Sequence, residues 1–397
     1  MVHPLTRSGV LALHHVPLLP RTTHHVRKTL ISSRANNTSI VGRSHGYAFR
    51  TQIMAKRWMQ SSAGQNNDQN PMAATKERIR LDHNYCVDLV RDRDREGYLC
   101  GLLMPKKVQQ EYFALLAFNV ELASVKQGSA RLRGGADNST LAVQLKFQRW
   151  KDLLDAVYTG SSTLEQAATS LSSFAADPVA ASLARAIHDK ELTRRFLERL
   201  IEAREADVDV VQWNTMQEVT RYAEESVSSR LYLTLECLGI RNDDADIVAS
   251  HAGVGMGVLV NLRAAPVRVV MGEIPIPVEL LPATFPYSIL QDLADYPEET
   301  TWPDERDKLD WDEAVQQMAM LASGHLIKAQ SLQGQIPKAG RSCLLPMVPA
   351  LHYLSKLESD PINYNVFHPQ LRGVDVDRWD RVKMLLVLSR SWLTGVY

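Results

Sequence analysis

The sequence predicts an all-α protein built as one large helical domain. Three observations predict it. Apolar residues fill 45% of the 397 positions, enough for a proper core. They recur at helical spacing in segment after segment, and no run alternates long enough to build a sheet. Aromatics are few, at 7%, and the middle of the chain favours Leu, Ala and Glu, which suit helices.

The first 67 residues read as an address and not as part of that domain. They hold nine basic residues, among them Arg7, Arg21, Arg27 and Arg57, and no Asp or Glu before Asp68. An acid-free segment with scattered Arg, Ser and Thr matches a mitochondrial transit peptide. A secretory signal would need one unbroken apolar block, and His14, His15 and Pro17 interrupt the only candidate. Residues 68–75 are polar and read as a linker. From position 68 onward 36 basic residues face 45 acidic ones. An acidic body lacks the basic face a nucleic-acid binder needs.

The domain itself is expected over 76–397. In 105–125 the apolar residues Phe113, Leu116, Ala117 and Val120 fall at i, i+3, i+4 and i+7. Pro105 suits a first helical turn. Further helices are expected at about 140–158, 179–203, 212–238, 243–264, 309–335, 341–357 and 378–395, several preceded by Ser or Thr as caps. Pro266 to Pro286 is expected as loop or short turns, because proline breaks helices. No stretch reaches the roughly 20 apolar residues of a spanning helix. The nearest, Ile247 to Leu262, holds His251 and Asn261.

Several ordered strings carry a resemblance. Gly97-Tyr98-Leu99-Cys100-Gly101-Leu102-Leu103-Met104-Pro105 precedes Glu111-Tyr112-Phe113-Ala114-Leu115-Leu116-Ala117-Phe118. Ile201 to Val208 is followed by Tyr222, then by Gly253 to Arg263, then by Pro277. In this order they resemble the landmarks of the squalene/phytoene synthase family, over about Tyr85 to Leu388. The resemblance implies an isoprenoid-synthase helical fold. Narrower strings, such as Phe118-Asn119-Val120-Glu121-Leu122-Ala123 and Val366-Phe367-His368-Pro369, resemble a mitochondrial branch of that family concerned with building respiratory complex I. That likeness implies complex I subunits or assembly intermediates as partners, and a peripheral place on the matrix side of the inner membrane.

Working members of such a family hold a diphosphate through Mg²⁺, a hard cation that wants oxygen ligands. The resemblance places the first aspartate cluster on Ala123, Ser124 and Gln127, and the second on Ala264 and Arg268. None of these is a carboxylate, and Arg268 is a cation. Ordinary prenyl transfer is therefore not expected, and no cofactor is expected. Polar residues that remain near the implied cavity are Asn119, Glu121, Glu205, Asp207, Tyr222, Glu225 and Arg263. Two readings stay open: a non-catalytic assembly factor on a prenyl-synthase scaffold, whose cavity holds a hydrophobic or isoprenoid ligand, and a divergent transferase acting on a polyprenyl diphosphate.

Other signals are weaker. Cys86, Cys100, Cys237 and Cys343 are scattered and read as small buried hydrophobes. Gly253-Val254-Gly255-Met256-Gly257 lacks the strand and downstream acid of a dinucleotide loop and reads as close helix packing. Asp92 and Asp94 alternate with arginines and read as paired charges on a solvated face. His251 and His325 show no metal-ligand spacing.

Overall fold

The computed structural model describes residues 71–132, 138–159, 174, 176–371 and 378–397. The expected transit segment at 1–67 lies outside the described residues.

Helix α1 (Pro71–Arg93) starts on a proline, which the first turn tolerates because that N–H has no partner there. It begins inside the stretch expected as linker. Helix α2 (Arg95–Leu103) is capped by Asp94, whose carboxylate accepts from Gly97 N at 2.9 Å. After Pro105 come α3 (Gln109–Leu132) and α4 (Asn138–Tyr158).

The segment expected as one helix over 179–203 is two, α5 (Pro178–Lys190) and α6 (Arg194–Asp207). Glu191 takes a left-handed conformation, φ 51°, and ends α5. Asp177 caps α5 through the Val179 amide at 2.9 Å.

Helices α7 (Met216–Ala223) and α8 (Ser229–Cys237) are joined without a break by a π-turn at Glu224–Ser228. Then follow α9 (Asp243–Arg263), α10 (Ala265–Val270), α11 (Ile289–Asp295), α12 (Glu305–Leu332), α13 (Met347–Glu358) and α14 (Arg378–Thr394). Among the described residues no strand forms, and Gln212 and Ile274 make an isolated bridge.

The stretch after Pro266 is not all loop. Pro266 sits in the first turn of α10, where a missing N–H costs nothing, so the chain regains helix at once. The irregular part that follows is fastened by Phe285, which stacks on Trp311 at 5.8 Å.

Helix α9 is the mast of the fold. It packs on α12, on α7 with its π-turn, on α8 and on α13. By length and composition it could cross a membrane, but 67% of its apolar window is buried inside the protein. Its glycines let three backbones approach. A Cβ on Gly253 would stand 2.5 Å from Ser228 Cα, one on Gly257 2.5 Å from Ala223 Cβ, and one on Gly255 2.7 Å from Leu326 Cγ. The first two face the π-turned helix and the third faces α12. Close helix packing thus accounts for the glycine-rich string.

Candidate functional site

Helices α1, α2, α3, α6, α7, α8, α9, α10 and α13 surround a cavity of about 410 Å³. Its wall is part apolar, with Leu116, Val120, Leu122, Met256, Leu259 and Pro349, and part charged. The charged part holds six cations (Arg93, Lys126, Arg204, Arg230, Arg263 and Arg268) and four carboxylates (Asp94, Glu96, Asp207 and Glu273).

Four of these charges form one buried cluster. Lys126 Nζ lies 3.1 Å from Asp207 Oδ1 and 3.1 Å from Glu273 Oε2. Arg268 Nε lies 3.1 Å from Glu273 Oε2, near enough to attract it but off the hydrogen-bonding direction. Arg268 Nη1 donates to Asn261 Oδ1 at 2.5 Å. The Glu273 side chain is 1% exposed and that of Asp207 6%. Two carboxylates this deep are tolerable only because two fixed cations lie against them.

A polar ladder stands beside the cluster. Arg204 donates to the Tyr222 hydroxyl at 2.6 Å and to Asn119 Oδ1 at 3.3 Å. The Tyr222 hydroxyl donates to Asp207 Oδ2 at 3.4 Å. Burial pushes that hydroxyl up to about 12, so it stays protonated and remains a donor at neutral pH. At another wall Arg263 donates to Glu96 at 2.6 Å. Arg230 makes no ion pair or hydrogen bond through its guanidinium among the described residues.

The residues singled out from the sequence divide in two. Ala123, Ser124, Ala264 and Arg268 line the cavity, as do Asn119, Asp207, Tyr222 and Arg263. Glu121, Glu205 and Glu225 do not line it. Glu205 pairs outward with Lys151 on α4 at 2.7 Å. Burial and the Asp177 carboxylate raise the Glu121 carboxyl above its ordinary value. Gln127 lies on α3, and its side chain is outside the described residues. Asp94 is not on a solvated face: it caps α2 at the cavity wall. Lys126, Glu273, Arg204 and Arg230 were not singled out. Lys126 adjoins Gln127, so the neighbours of the implied motif were the available signal.

The fold family implies Mg²⁺ with a diphosphate. The residues present do not fit that pair. Among the described residues no three His, Cys, Asp or Glu side chains converge to hold a metal. The two deepest carboxylates already face Lys126 and Arg268, so a divalent cation there would meet two positive charges within a few ångströms. No step through a metal is derived.

Comparison with known proteins agrees with this fold. The profile of a family described as squalene/phytoene synthase matches residues 90–380. The chain is 33% identical to "NADH dehydrogenase (ubiquinone) complex I, assembly factor 6" of Bos taurus, over 78% of this chain and 81% of that protein. It is 31% identical to the Homo sapiens protein of the same name, over 73% of this chain and 77% of that one. The crystal structure of squalene synthase HpnC from Alicyclobacillus acidocaldarius superposes with a TM-score of 0.53 at 15% identity, covering 73% of this chain and 96% of that one. A dehydrosqualene synthase in complex with ligand gives 0.56 at 15% identity, over 80% and 99%. At such identities these two structures speak for the fold alone. With residues 90–380 of its 397 matched, the chain belongs to the squalene/phytoene synthase family.

Proposed function

We propose that this protein is an assembly factor for mitochondrial respiratory complex I, acting early in its biogenesis and without catalysis. The proposal places it on the matrix side of the inner membrane, peripherally, with complex I subunits or assembly intermediates as partners. The names of the relatives support complex I and a mitochondrial setting. The observation that carries the non-catalytic part is the cluster of Lys126, Arg268, Asp207 and Glu273. Both of its carboxylates face fixed cations, which disfavours a metal-bound leaving group at that cluster. The remaining cavity is a half-apolar chamber suited to holding a hydrophobic or isoprenoid group without transforming it.

The test is depletion of the protein, followed by native electrophoresis of mitochondria with NADH dehydrogenase staining. Selective loss of assembled complex I is expected, restored equally by the wild type and by Arg230→Gln. Normal complex I after depletion would overturn the reading. A purified protein that releases pyrophosphate from farnesyl or geranylgeranyl diphosphate when Mg²⁺ is added would overturn its non-catalytic part and favour the transferase.

A further inference from the structure

Helix α14 turns its inner face onto α13 and α2, where Met384 and Leu388 are buried. Its outer face is apolar too. Val382, Leu386 and Leu393 recur at i, i+4 and i+11 and so lie along one line of the helix. Leu385 and Trp392 lie along one flank of that line. Leu386 is 66% exposed, Leu393 75% and Trp392 47%. Val396, just beyond the helix end, is exposed as well. On the other flank stand Lys383 and Arg390, both exposed.

A surface helix ordinarily presents polar residues to water, and one that is apolar on both faces needs a cover on the second. The charges say what kind. Helix α14 holds one acid, Asp380 in its first turn, and from Arg381 to Tyr397 there is no Asp or Glu, although acid outnumbers base over the chain from position 68. The cover must be apolar at its depth and negative at its rim. Acyl chains beneath a layer of lipid phosphates have that profile. An exposed tryptophan beside the apolar line suits the same boundary.

We propose that α14 docks this protein on a bilayer containing anionic phospholipid, outer face down, without crossing it. Val382, Leu386, Leu393 and Trp392 enter the acyl boundary, and Lys383 and Arg390 meet phosphates. The helix has 17 residues, about 26 Å of length against a core of about 30 Å, and its inner face is committed to the fold. The proposal deepens the peripheral attachment put forward above and rests on that reading only for which membrane is met.

The test is sedimentation of the full chain with vesicles of phosphatidylcholine alone, or of phosphatidylcholine with phosphatidylglycerol. Binding to the mixed vesicles is expected. A Leu386→Glu, Leu393→Glu variant should lower it by about tenfold or more, and a Lys383→Gln, Arg390→Gln variant by a smaller factor that added salt also produces. Both leucines are exposed, so the unfolding midpoint should hold. If it falls, quenching of emission by a spin-labelled lipid, compared between wild type and Trp392→Phe, decides instead. Equal binding by the leucine variant, or no quenching assignable to Trp392, would overturn the proposal. So would a wild type that binds no vesicle and pairs with a second copy through these leucines. Complex I rescue is read on the same chains. A chain that restores complex I without binding vesicles sinks the helix assignment alone. A vesicle-binding chain whose depletion leaves complex I intact sinks the assembly reading alone.

Discussion

Lys126 Nζ lies 3.1 Å from Glu273 Oε2, a carboxylate 147 positions later in the chain and sealed from water. Removing the ammonium leaves Glu273 with Arg268 and removes the closest partner of Asp207 Oδ1. Lys126→Met is expected to cost about 3 kcal/mol of stability, since it leaves buried charge uncompensated. Adding Glu273→Gln should restore part of the loss. Urea denaturation of the two variants checks this, and an unchanged midpoint for Lys126→Met would show the cluster to be inert.

The glycines of α9 and α12 are expected to behave in opposite ways. Gly253→Ala would drive a Cβ into the Ser228 backbone, at a cost of about 2 kcal/mol or more. Gly324, inside α12, has nothing within 4 Å of such a Cβ. Gly324→Ala should therefore stabilise by about 0.5 to 1 kcal/mol through helix propensity. Thermal unfolding of the two variants gives the sign of each.

His251 and His325 meet between α9 and α12 with their Nδ1 atoms 3.1 Å apart, so one ring must be a neutral acceptor. Burial, then the neighbouring His251, hold His325 below its ordinary value. The unfolded chain then takes up a proton that the folded one resists. Stability is expected to fall as pH drops through about 6.5, the unfolded value. His325→Gln should flatten the fall in the unfolding midpoint between pH 7 and pH 5. A variant as acid-sensitive as the wild type would count against the pair.

Asp312 on α12 works with the opposite sign. Burial pushes its carboxyl up to about 6, with Lys308 opposing and Glu305 adding. A raised folded value means that the protonated form is favoured, so its stabilising share is full only below the unfolded value of 3.8 and is lost as pH rises through about 6. Asp312→Asn should stabilise the protein at pH 7.5 by about 1 kcal/mol, after discounting for partial exposure. At pH 3.5 the gain should nearly vanish. Denaturation at the two pH values tests this directly.

The helices were legible because their apolar periodicity is long and repeated, and α9 was placed to within a residue. The break at Glu191 was not, because a non-glycine residue in the left-handed region carries no signature. Pro266 was read as a breaker, but proline breaks a helix only from the inside, and here it begins one. Residues attached to the family's landmarks, such as Ala123, Ser124, Asn119 and Arg263, line the cavity. Glu205 was not separated from Asp207, since the side of a helix that faces a cavity depends on what packs there. The contacts of Lys126 with Glu273 and of His251 with His325 join distant parts of the chain, so only the fold brings them together.

The π-turn at Glu224–Ser228 sets how this helix can change length. A π-turn houses one residue more than a regular helix would hold in the same span. Removing one residue of the five would let the helix close regularly with Ser229–Cys237 still in phase, whereas removing one of Ser229, Arg230 or Leu231 would swing the rest of Ser229–Cys237 round by about 100°. That segment is buried on nearly every side, so no new face could absorb the turn. Glu236 would leave the Thr193 amide, 2.8 Å away, and Tyr232 would leave Glu224. Loss of a single residue is therefore expected to be tolerated better within 224–228 than in Ser229–Cys237, a contrast that a deletion scan through both segments would expose.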